Sequence, residues 1–383
     1  MPSPQEVLAK ISGEYTVIFP AVDVDSLIAA GMLLYYSSLT NTDASITLDL
    51  KNILEIEKST QKILIGFNNI SNEEIEQYNL LVLEPPTNSS LSASIARITS
   101  SSTVGSTWLY KLGILAGEYR GLDLGKNGFK GLEKHFVDEL AERGEIEPDF
   151  GFRLWGWSRR RLLEMLTRTF YPLIPGITGN IDNTRALLKS VPNIIDPETA
   201  TSHDIFSETD PEKAKVFVQK LYDAMQAPEE IKKTILYKLI GMVYLINIDN
   251  TRIDSPELLG TLITYMTLKP HNPLDIPHLV LDHKHLFHLL AIYNDYVDVV
   301  AAELSMIINQ KEYAGPIETD YISRPETISD VLSYIGMTPS QPITIHNLEY
   351  GEYTCARELL RTGSSLMDVV DKCDEYQLCK TGR

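Results

Sequence analysis

The chain has 383 residues, of which 43% are hydrophobic and 22% charged, a composition typical of a folded protein with two or three domains. Its formal net charge of −18 argues against a broad surface that follows nucleic-acid phosphates, because such surfaces depend on lysine and arginine. Protein partners and one local basic site remain open. No signal peptide and no apolar run of bilayer length is evident, so we expect a soluble, cytoplasmic protein.

The cysteines Cys355, Cys373 and Cys379 all lie near the C-terminus and lack the close paired spacing of zinc sites. Three reduced thiols are the simplest interpretation for a cytoplasmic protein. A disulfide between Cys373 and Cys379 is the alternative.

The stretch from Tyr15 to Tyr36 predicts a strand, a tight polar loop and a helix. The loop contains Asp23 and Asp25 at the carboxyl end of the strand, where open α/β sheets usually bind their ligands. One carboxylate could cap the helix while the other is solvated, or the pair could hold a metal ion. The stretch alone favours neither interpretation.

Three further short apolar runs, at Ser45–Leu50, Lys62–Gly66 and Leu80–Leu83, have the length and continuity of buried strands. A helical pattern from Ser71 to Tyr78 separates the last two. Strands that alternate with helices predict a doubly wound, mainly parallel α/β sheet.

The rest of the chain is mainly helical and ends in a mixed α/β segment. The predicted elements are helices over Ser92–Leu115 with a break at Gly105, a mostly helical stretch over Asn127–Ala227, a helix that runs into a strand over Ile231–Ile248, a helix over Pro256–Met266, a long amphipathic helix over His285–Asn309, strands over Ile343–Ile345 and Tyr353–Arg357 with a turn at Glu349–Gly351, and a helix over Leu366–Cys373.

This order of elements and motif remnants resembles the DHH-type phosphoesterases, specifically the archaeal RecJ-like branch whose eukaryotic counterpart is the replication factor Cdc45. The resemblance implies five parts: a DHH-like α/β domain over 1–125, a mainly helical region over 126–228, the completion of the DHH-like domain over 229–284, a linker helix over 285–311 and a DHH-associated C-terminal α/β domain over 312–383.

Active members of this family hold two metal ions, usually manganese, with a histidine and two aspartates on the first loop, a lone aspartate, an Asp-His-His motif and a fourth aspartate. In this chain the corresponding positions are Asp23 and Asp25, then Gly66, then Glu84, Pro85 and Pro86, and finally Glu118. Glycine and proline offer no ligand. The resemblance therefore implies a degenerate site with no catalytic residue, no metal and no cofactor.

The one basic stretch of this acidic chain, Phe150 to Arg168, also contains two tryptophans. It offers six candidates for contact with a single strand or a protein partner: Arg153, Trp155, Trp157, Arg159, Arg160 and Arg161. The alternative is a helix with a leucine core and arginines that pair with nearby acids.

Five of the eight histidines lie between His271 and His288. Asp282, His285 and His288 could meet on a helix and bind a metal ion. We favour a polar helix start with Asp282 as a cap.

Taken with the resemblance, these features suggest a catalytically inactive scaffold subunit of the archaeal replicative helicase, associated with the nucleoid. Its expected partners are the GINS complex and the MCM motor, with single-stranded DNA as a further candidate. The alternatives are a divergent manganese-dependent phosphoesterase or exonuclease that uses Asp23, Asp25, Glu84 and Glu118, and an accessory subunit of a DNA-repair complex.

Overall fold

The computed structural model describes residues 6, 11, 15–99, 106–123, 125, 127–206, 210–268, 272–308, 315–347 and 351–381. The predicted break at Gly105 lies outside these residues, as do Glu349 and Tyr350 of the predicted turn. Among the described residues, none of the helices combines the length and hydropathy that a bilayer-spanning segment needs.

A parallel four-stranded sheet forms the first part of the chain. Its strands are β1 (Thr16–Pro20), β2 (Ala44–Ile46), β3 (Gln61–Ile65) and β4 (Leu80–Leu83), in the order β2-β1-β3-β4. The helices of this part are α1 (Val24–Leu39), α2 (Asn52–Glu55), α3 (Asn72–Tyr78), α4 (Leu91–Thr99) and α5 (Ser106–Tyr119). The α/β class with a mainly parallel sheet is confirmed, although β2 is shorter than the predicted strand Ser45–Leu50.

Both faces of this sheet are covered, which explains why its strands are continuous apolar runs. Ile18, Ile63 and Leu81 point to one face and share an apolar cluster with α1, α4 and α5. Phe19 and Leu64 point to the other face and belong to a second cluster. That second face is covered in part by the C-terminal segment.

The middle of the chain contains six helices among the described residues and an antiparallel sheet. The helices are α6 (Leu132–Glu142), α7 (Leu162–Arg168), α8 (Ile181–Ser190), α9 (Ser202–Ile205), α10 (Pro211–Ala224) and α11 (Glu229–Leu239). Strands β5 (Ile146–Phe152), β6 (Ile240–Ile248) and β7 (Thr251–Asp254) pair in the order β5-β6-β7. The predicted helix that runs into a strand is confirmed as α11 and β6, whereas the sequence pattern does not predict β5.

Three helices then lead to the C-terminal segment: α12 (Ser255–Thr267), α13 (Asp275–Leu281) and α14 (His285–Ile308). The predicted helix over Pro256–Met266 is confirmed as α12. The predicted long helix is confirmed up to Ile308, and Asn309 lies outside the described residues.

The C-terminal segment folds as a mixed sheet with three helices. Its strands are β8 (Ile317–Glu318), β9 (Ile345–Asn347), β10 (Gly351–Cys355) and β11 (Leu378–Lys380), in the order β11-β10-β9-β8, and its helices are α15 (Pro325–Tyr334), α16 (Ala356–Arg361) and α17 (Leu366–Lys372). The predicted strand over Tyr353–Arg357 ends at Cys355 because α16 begins at Ala356. The predicted strand over Ile343–Ile345 begins only at Ile345.

Cys373 and Cys379 are joined by a disulfide, so the prediction of three reduced thiols was wrong and the alternative pairing is the one observed. The two residues face each other across an antiparallel bridge, which places their side chains within bonding distance. Cys355 is a buried free thiol.

The C-terminal segment packs directly against the first sheet. Leu360 and Val369 of α16 and α17 lie in the same apolar cluster as Phe19 and Leu64. The side-chain amide of Gln377 donates a 2.8 Å hydrogen bond to the Pro20 carbonyl. Burial of a Leu or Val side chain contributes about 1.5–3 kcal/mol. The C-terminal segment and the first sheet therefore share a hydrophobic core. The division of the chain into five parts stays a prediction.

Candidate functional site

A cleft of about 420 Å³ opens where the strands of the first sheet end. One wall consists of the β1–α1 loop and the residues after β3 and β4, and the other consists of α15 and α16. Its charged lining residues are the acids Asp23, Asp25, Asp330 and Glu358 and the bases Arg120, Lys238, Arg357 and Arg361. The predicted Asp pair therefore lies in a cleft, at the edge of the sheet where ligands usually bind.

Asp23 is the N-cap of α1. Its carboxylate accepts hydrogen bonds from the Ser26 amide at 2.8 Å and from the Ser26 hydroxyl at 2.7 Å. The Arg357 guanidinium lies 3.8 Å away. Burial raises the pKa of Asp23 to about 6, and the nearby Arg357 charge partly offsets this effect.

Asp25 binds the start of a different helix. Its carboxylate accepts hydrogen bonds from the Leu91 amide at 3.0 Å, the Ser92 amide at 2.9 Å and the Ser92 hydroxyl at 2.7 Å. A carboxylate is favourable there because the first amides of α4 lack partners within the helix. Burial raises the pKa of Asp25, whereas the two amides and Arg120, 4.0 Å away, lower it.

Gly66, which the resemblance aligns with the lone aspartate, has no room for a side chain unless Ser26 moves. Its φ of +77° is a left-handed conformation that favours glycine. A Cβ at this position would lie 2.0 Å from Ser26 Oγ and 3.2 Å from Asp23 Oδ2. The Ser26 hydroxyl, which donates a hydrogen bond to Asp23, thus occupies the space that a ligand at position 66 would need.

The segment Glu84–Pro86 follows β4 and binds an arginine. Glu84 and Pro85 are half-buried, Pro86 is exposed, and Pro85 lines the cleft. The Arg120 guanidinium donates hydrogen bonds to the Pro86 carbonyl at 3.2 Å and to the Ser89 carbonyl at 2.9 Å. The segment at the Asp-His-His position therefore holds a cation through its backbone.

Glu118 is fully buried in α5 and does not line the cleft, although the next residue, Tyr119, does. It forms an ion pair of 2.8 Å with Arg153, and the same guanidinium lies 3.0 Å from the buried Asp123. Burial is the main reason that the pKa of Asp123 is raised. The Glu118 carboxylate is thus part of a buried ion-pair cluster with Arg153 and Asp123.

These donors do not fit a pair of bridged metal ions. Each carboxylate oxygen of Asp23 and Asp25 already accepts a hydrogen bond, position 66 is closed, and Glu118 is paired with Arg153. Within the described ranges, no group of three or more His, Cys, Asp and Glu side chains is arranged to hold a metal ion. We therefore derive no metal-dependent chemistry from this cleft.

Three of the six predicted contact residues are inaccessible. Arg153, Trp155 and Trp157 are buried, with at most 4% of their surface exposed. Gly260 and Gly151 make room for the two indoles, since a Cβ at either residue would lie within 3 Å of the ring. These three residues therefore cannot contact a partner in this structure. The alternative of arginines that pair with nearby acids describes Arg153, but it does not predict the burial of the two tryptophans.

Two of the remaining arginines bind the buried carboxylate of Glu257 on α12. Arg159 and Arg160 donate hydrogen bonds to its two oxygens at 2.7 and 2.5 Å, and Arg160 also donates to Asn294 of α14. Arg161 is exposed, and no ion pair involves it among the described residues. Of the predicted contact residues, Arg161 is the one left open to solvent and unpaired.

The histidine cluster begins with His271, which lies outside the described residues. The rings of His285 and His288 are 5.7 Å apart, and those of His285 and His278 are 6.4 Å apart. Asp282 accepts a 3.0 Å hydrogen bond from the Lys284 amide, but it is the C-cap of α13 and not, as predicted, the cap of α14, which begins at His285.

Sequence reasoning missed the second wall of the cleft. Arg357 donates a 2.7 Å hydrogen bond to Asp330, and the Tyr119 hydroxyl donates to the other oxygen of Asp330. Lys238 lies 3.6 Å from the centre of the Tyr334 ring, and its pKa is lowered to about 8, chiefly by burial. Nothing in the local pattern of α15 or α16 indicates that these helices face the β1–α1 loop, because the contact between Asp23 and Arg357 joins residues more than 300 positions apart.

No family model matches the chain, and no curated protein matches it. Among solved structures, the chain is similar to Cdc45 from Entamoeba histolytica, with a TM-score of 0.58 and 9% identity over 96% of this chain and 91% of that chain. It is also similar to RecJ from Thermus thermophilus, with a TM-score of 0.34 and 12% identity over 90% of this chain and 45% of that chain. The Cdc45 match extends over nearly the full length of both chains. The protein therefore has the fold of Cdc45.

Proposed function

We propose that this chain is a catalytically inactive, RecJ-like replication factor that acts as a scaffold subunit of a replicative helicase. Its partners are the GINS complex and the MCM motor, as the resemblance to Cdc45 implies. Single-stranded DNA is a further candidate ligand. The same proposal assigns the protein to an archaeon and places it at the nucleoid.

The observation that carries the proposal is the closed position at Gly66. A metal-dependent hydrolase of this family needs a carboxylate at this position. In this chain the Ser26 hydroxyl, which donates a hydrogen bond to Asp23, lies where the Cβ of such a residue would be. Two metal ions held by carboxylates and imidazoles would be needed to activate water and to stabilise the leaving oxygen. In this chain, amides, hydroxyls and nearby arginines stabilise Asp23 and Asp25, so the proposal gives both aspartates a structural role.

An affinity purification from native extract tests the scaffold role. The tagged chain is expected to recover GINS and MCM subunits in stoichiometric amounts. Asp23→Asn is the matched control, since Asp23 is only 7% exposed and its replacement should leave the recovered partners nearly unchanged. Recovery of neither GINS nor MCM with the wild-type chain would count against the scaffold role.

One observation favours a second candidate, a divergent manganese-dependent phosphoesterase: Asp23 and Asp25 both line an open cleft. Turnover of single-stranded DNA or of small phosphoesters with manganese, abolished in Asp23→Ala, would establish it. We expect no turnover, because the oxygens of both aspartates are already engaged in hydrogen bonds.

A further inference from the structure

Arg357 crosses the cleft. It belongs to α16 of the C-terminal segment, yet its guanidinium lies 3.8 Å from Asp23 of the β1–α1 loop. The same group donates hydrogen bonds to Asp330 at 2.7 Å and to the Glu326 carbonyl at 3.0 Å, both on α15. Because Asp330 also accepts from Tyr119 of α5, the two walls are joined by a continuous chain of polar contacts.

In this network of polar contacts, one positive charge, that of Arg357, lies between two carboxylates, Asp23 and Asp330. Asp23 is buried, and a buried carboxylate needs a nearby positive charge or strong hydrogen-bond donors. Arg357 supplies that charge from the opposite wall, and its own side chain is 18% exposed. Arginine suits this role because its planar guanidinium can bind two carboxylates at once and stays protonated.

The second contact between the walls lies behind the cleft. The apolar cluster that contains Leu360 and Val369 also contains Phe19 and Leu64 of the first sheet. The Asn69 side chain donates to the Leu360 carbonyl at 3.1 Å, and the Leu366 amide donates to Glu74 at 2.7 Å. The C-terminal segment is thus attached to the first sheet by an apolar cluster and two hydrogen bonds in addition to the Arg357 contact.

We propose that Arg357 is a built-in cation that takes the place of a bound metal ion beside Asp23 and locks the C-terminal segment onto the β1–α1 loop, so that the two walls of the cleft stay at a fixed distance. This inference rests on the proposed absence of metal-dependent catalysis. It deepens that proposal, because it states how the cleft is stabilised without a metal.

Hydrogen exchange of the full-length chain, followed by mass spectrometry, tests the lock in Arg357→Gln. The expected result is exchange at least about tenfold faster in peptides that cover residues 21–30 and 325–334, equivalent to about 1.4 kcal/mol of local stability. Arg361→Gln is the matched control. Arg361 also lies on α16, lines the cleft and pairs with a carboxylate, Glu358, but its bonds stay within the C-terminal segment.

Arg361→Gln should therefore leave exchange over residues 21–30 within about twofold of the wild type, well below the tenfold effect that marks a broken contact. Equal exchange over residues 21–30 in wild type and Arg357→Gln would overturn the lock. If Arg357→Gln folds poorly, the double variant Asp23→Asn/Arg357→Gln removes both charges, and the lock predicts that it is more stable than Arg357→Gln alone. A double variant that is less stable would refute the charge pairing.

The wild-type chain supplies a test that needs no variant. Its thermal midpoint is expected to be the same in a chelator and in manganese, and a higher midpoint with manganese would refute a site already filled by Arg357. Partner recovery is measured separately. Loss of GINS and MCM with slow exchange would refute the function and keep the lock, whereas unchanged exchange in Arg357→Gln with partners bound would refute only the lock.

Discussion

Gly66→Asp places a carboxylate where active relatives are expected to have a metal ligand, and we expect it to destabilise the protein without creating a metal site. A residue with a Cβ at the φ of +77° observed at this position costs roughly 1–2 kcal/mol. The new Cβ would also lie 2.0 Å from Ser26 Oγ, so the serine must move and its 2.7 Å bond to Asp23 is lost. A hydrogen bond to a charged group contributes about 1.5–3 kcal/mol. The two costs together predict a loss of about 2.5–5 kcal/mol.

Urea unfolding followed by circular dichroism measures this loss. Gly144→Ala is the matched control, because Gly144 has a φ of +71° and a Cβ there would meet nothing within 4 Å. It should lose only the conformational cost, about 1–2 kcal/mol. Gly66→Ala should be nearly as unstable as Gly66→Asp, since it carries the same Cβ.

The reasoning would be refuted if Gly66→Asp were no less stable than Gly144→Ala. It would also be refuted if manganese raised the unfolding midpoint of Gly66→Asp but not that of the wild type, because the added carboxylate would then be a ligand.

Three further predictions concern buried groups and the basic stretch. The pKa of Asp23 is about 6 in the folded protein, above its ordinary value of 3.8. The folded state therefore binds this proton more tightly than the unfolded state, and stability falls as pH rises from about 4 to 6. In urea unfolding, the wild type should lose up to about 3 kcal/mol of stability across that window relative to Asp23→Asn. Asp25→Ala removes three hydrogen bonds at the start of α4 and should cost about 2 kcal/mol or more, and Asp25→Asn less. Trp157→Ala should cost about 3–5 kcal/mol of stability because the ring is buried, whereas Arg161→Ala should change stability by less than about 0.5 kcal/mol.

Each of these has an outcome that would contradict it. Parallel pH profiles for wild type and Asp23→Asn would show that the carboxyl has no raised pKa. Equal stabilities of wild type and Asp25→Ala would mean that the amides of α4 find other partners. A Trp157→Ala variant that keeps its stability but loses a partner would indicate that Trp157 contacts the partner and is not a core residue.

The first sheet could be predicted because its signals are local. Each strand is a short apolar run, and the crossover helix α3 begins with a capping residue, Ser71, whose hydroxyl accepts from the Glu74 amide at 3.2 Å. The β1–loop–α1 unit has the same property, with Asp23 as its cap. Patterns of this kind depend on neighbours a few residues away, and the sequence displays them directly.

β5 could not be predicted because its stability comes from a distant strand. Its sequence contains Pro148 and Gly151, which are unfavourable in a strand, and Ile146 pairs with Ile246, a hundred positions later. β5 is an edge strand of its sheet, where a proline is tolerated. The local signal was therefore weak, and the pairing that decides the structure lay outside any window.

The burial of Trp155 and Trp157 has the same origin. Tryptophan beside arginine is the composition of a contact surface, and it is also the composition of a core flanked by ion pairs. What separates the two here is the pair of glycines that receive the rings, and one of them, Gly260, lies in a helix about a hundred residues away. A glycine inside a predicted helix was the available signal, but it does not say which ring it receives.

The two aspartates of the β1–α1 loop have structural partners that are independent of any metal. Asp23 starts α1, and Asp25 holds the first amides of α4, so each carboxylate fixes the N-terminus of a helix that covers the sheet. Loss of either would leave buried amides without acceptors, at a cost of about 1–3 kcal/mol for each group. The presence of an Asp-x-Asp pair at the end of a strand is therefore insufficient to identify a catalytic centre. Under the proposed function, the position that discriminates is Gly66, because the resemblance implies a metal ligand there and the Ser26 hydroxyl lies where its Cβ would be.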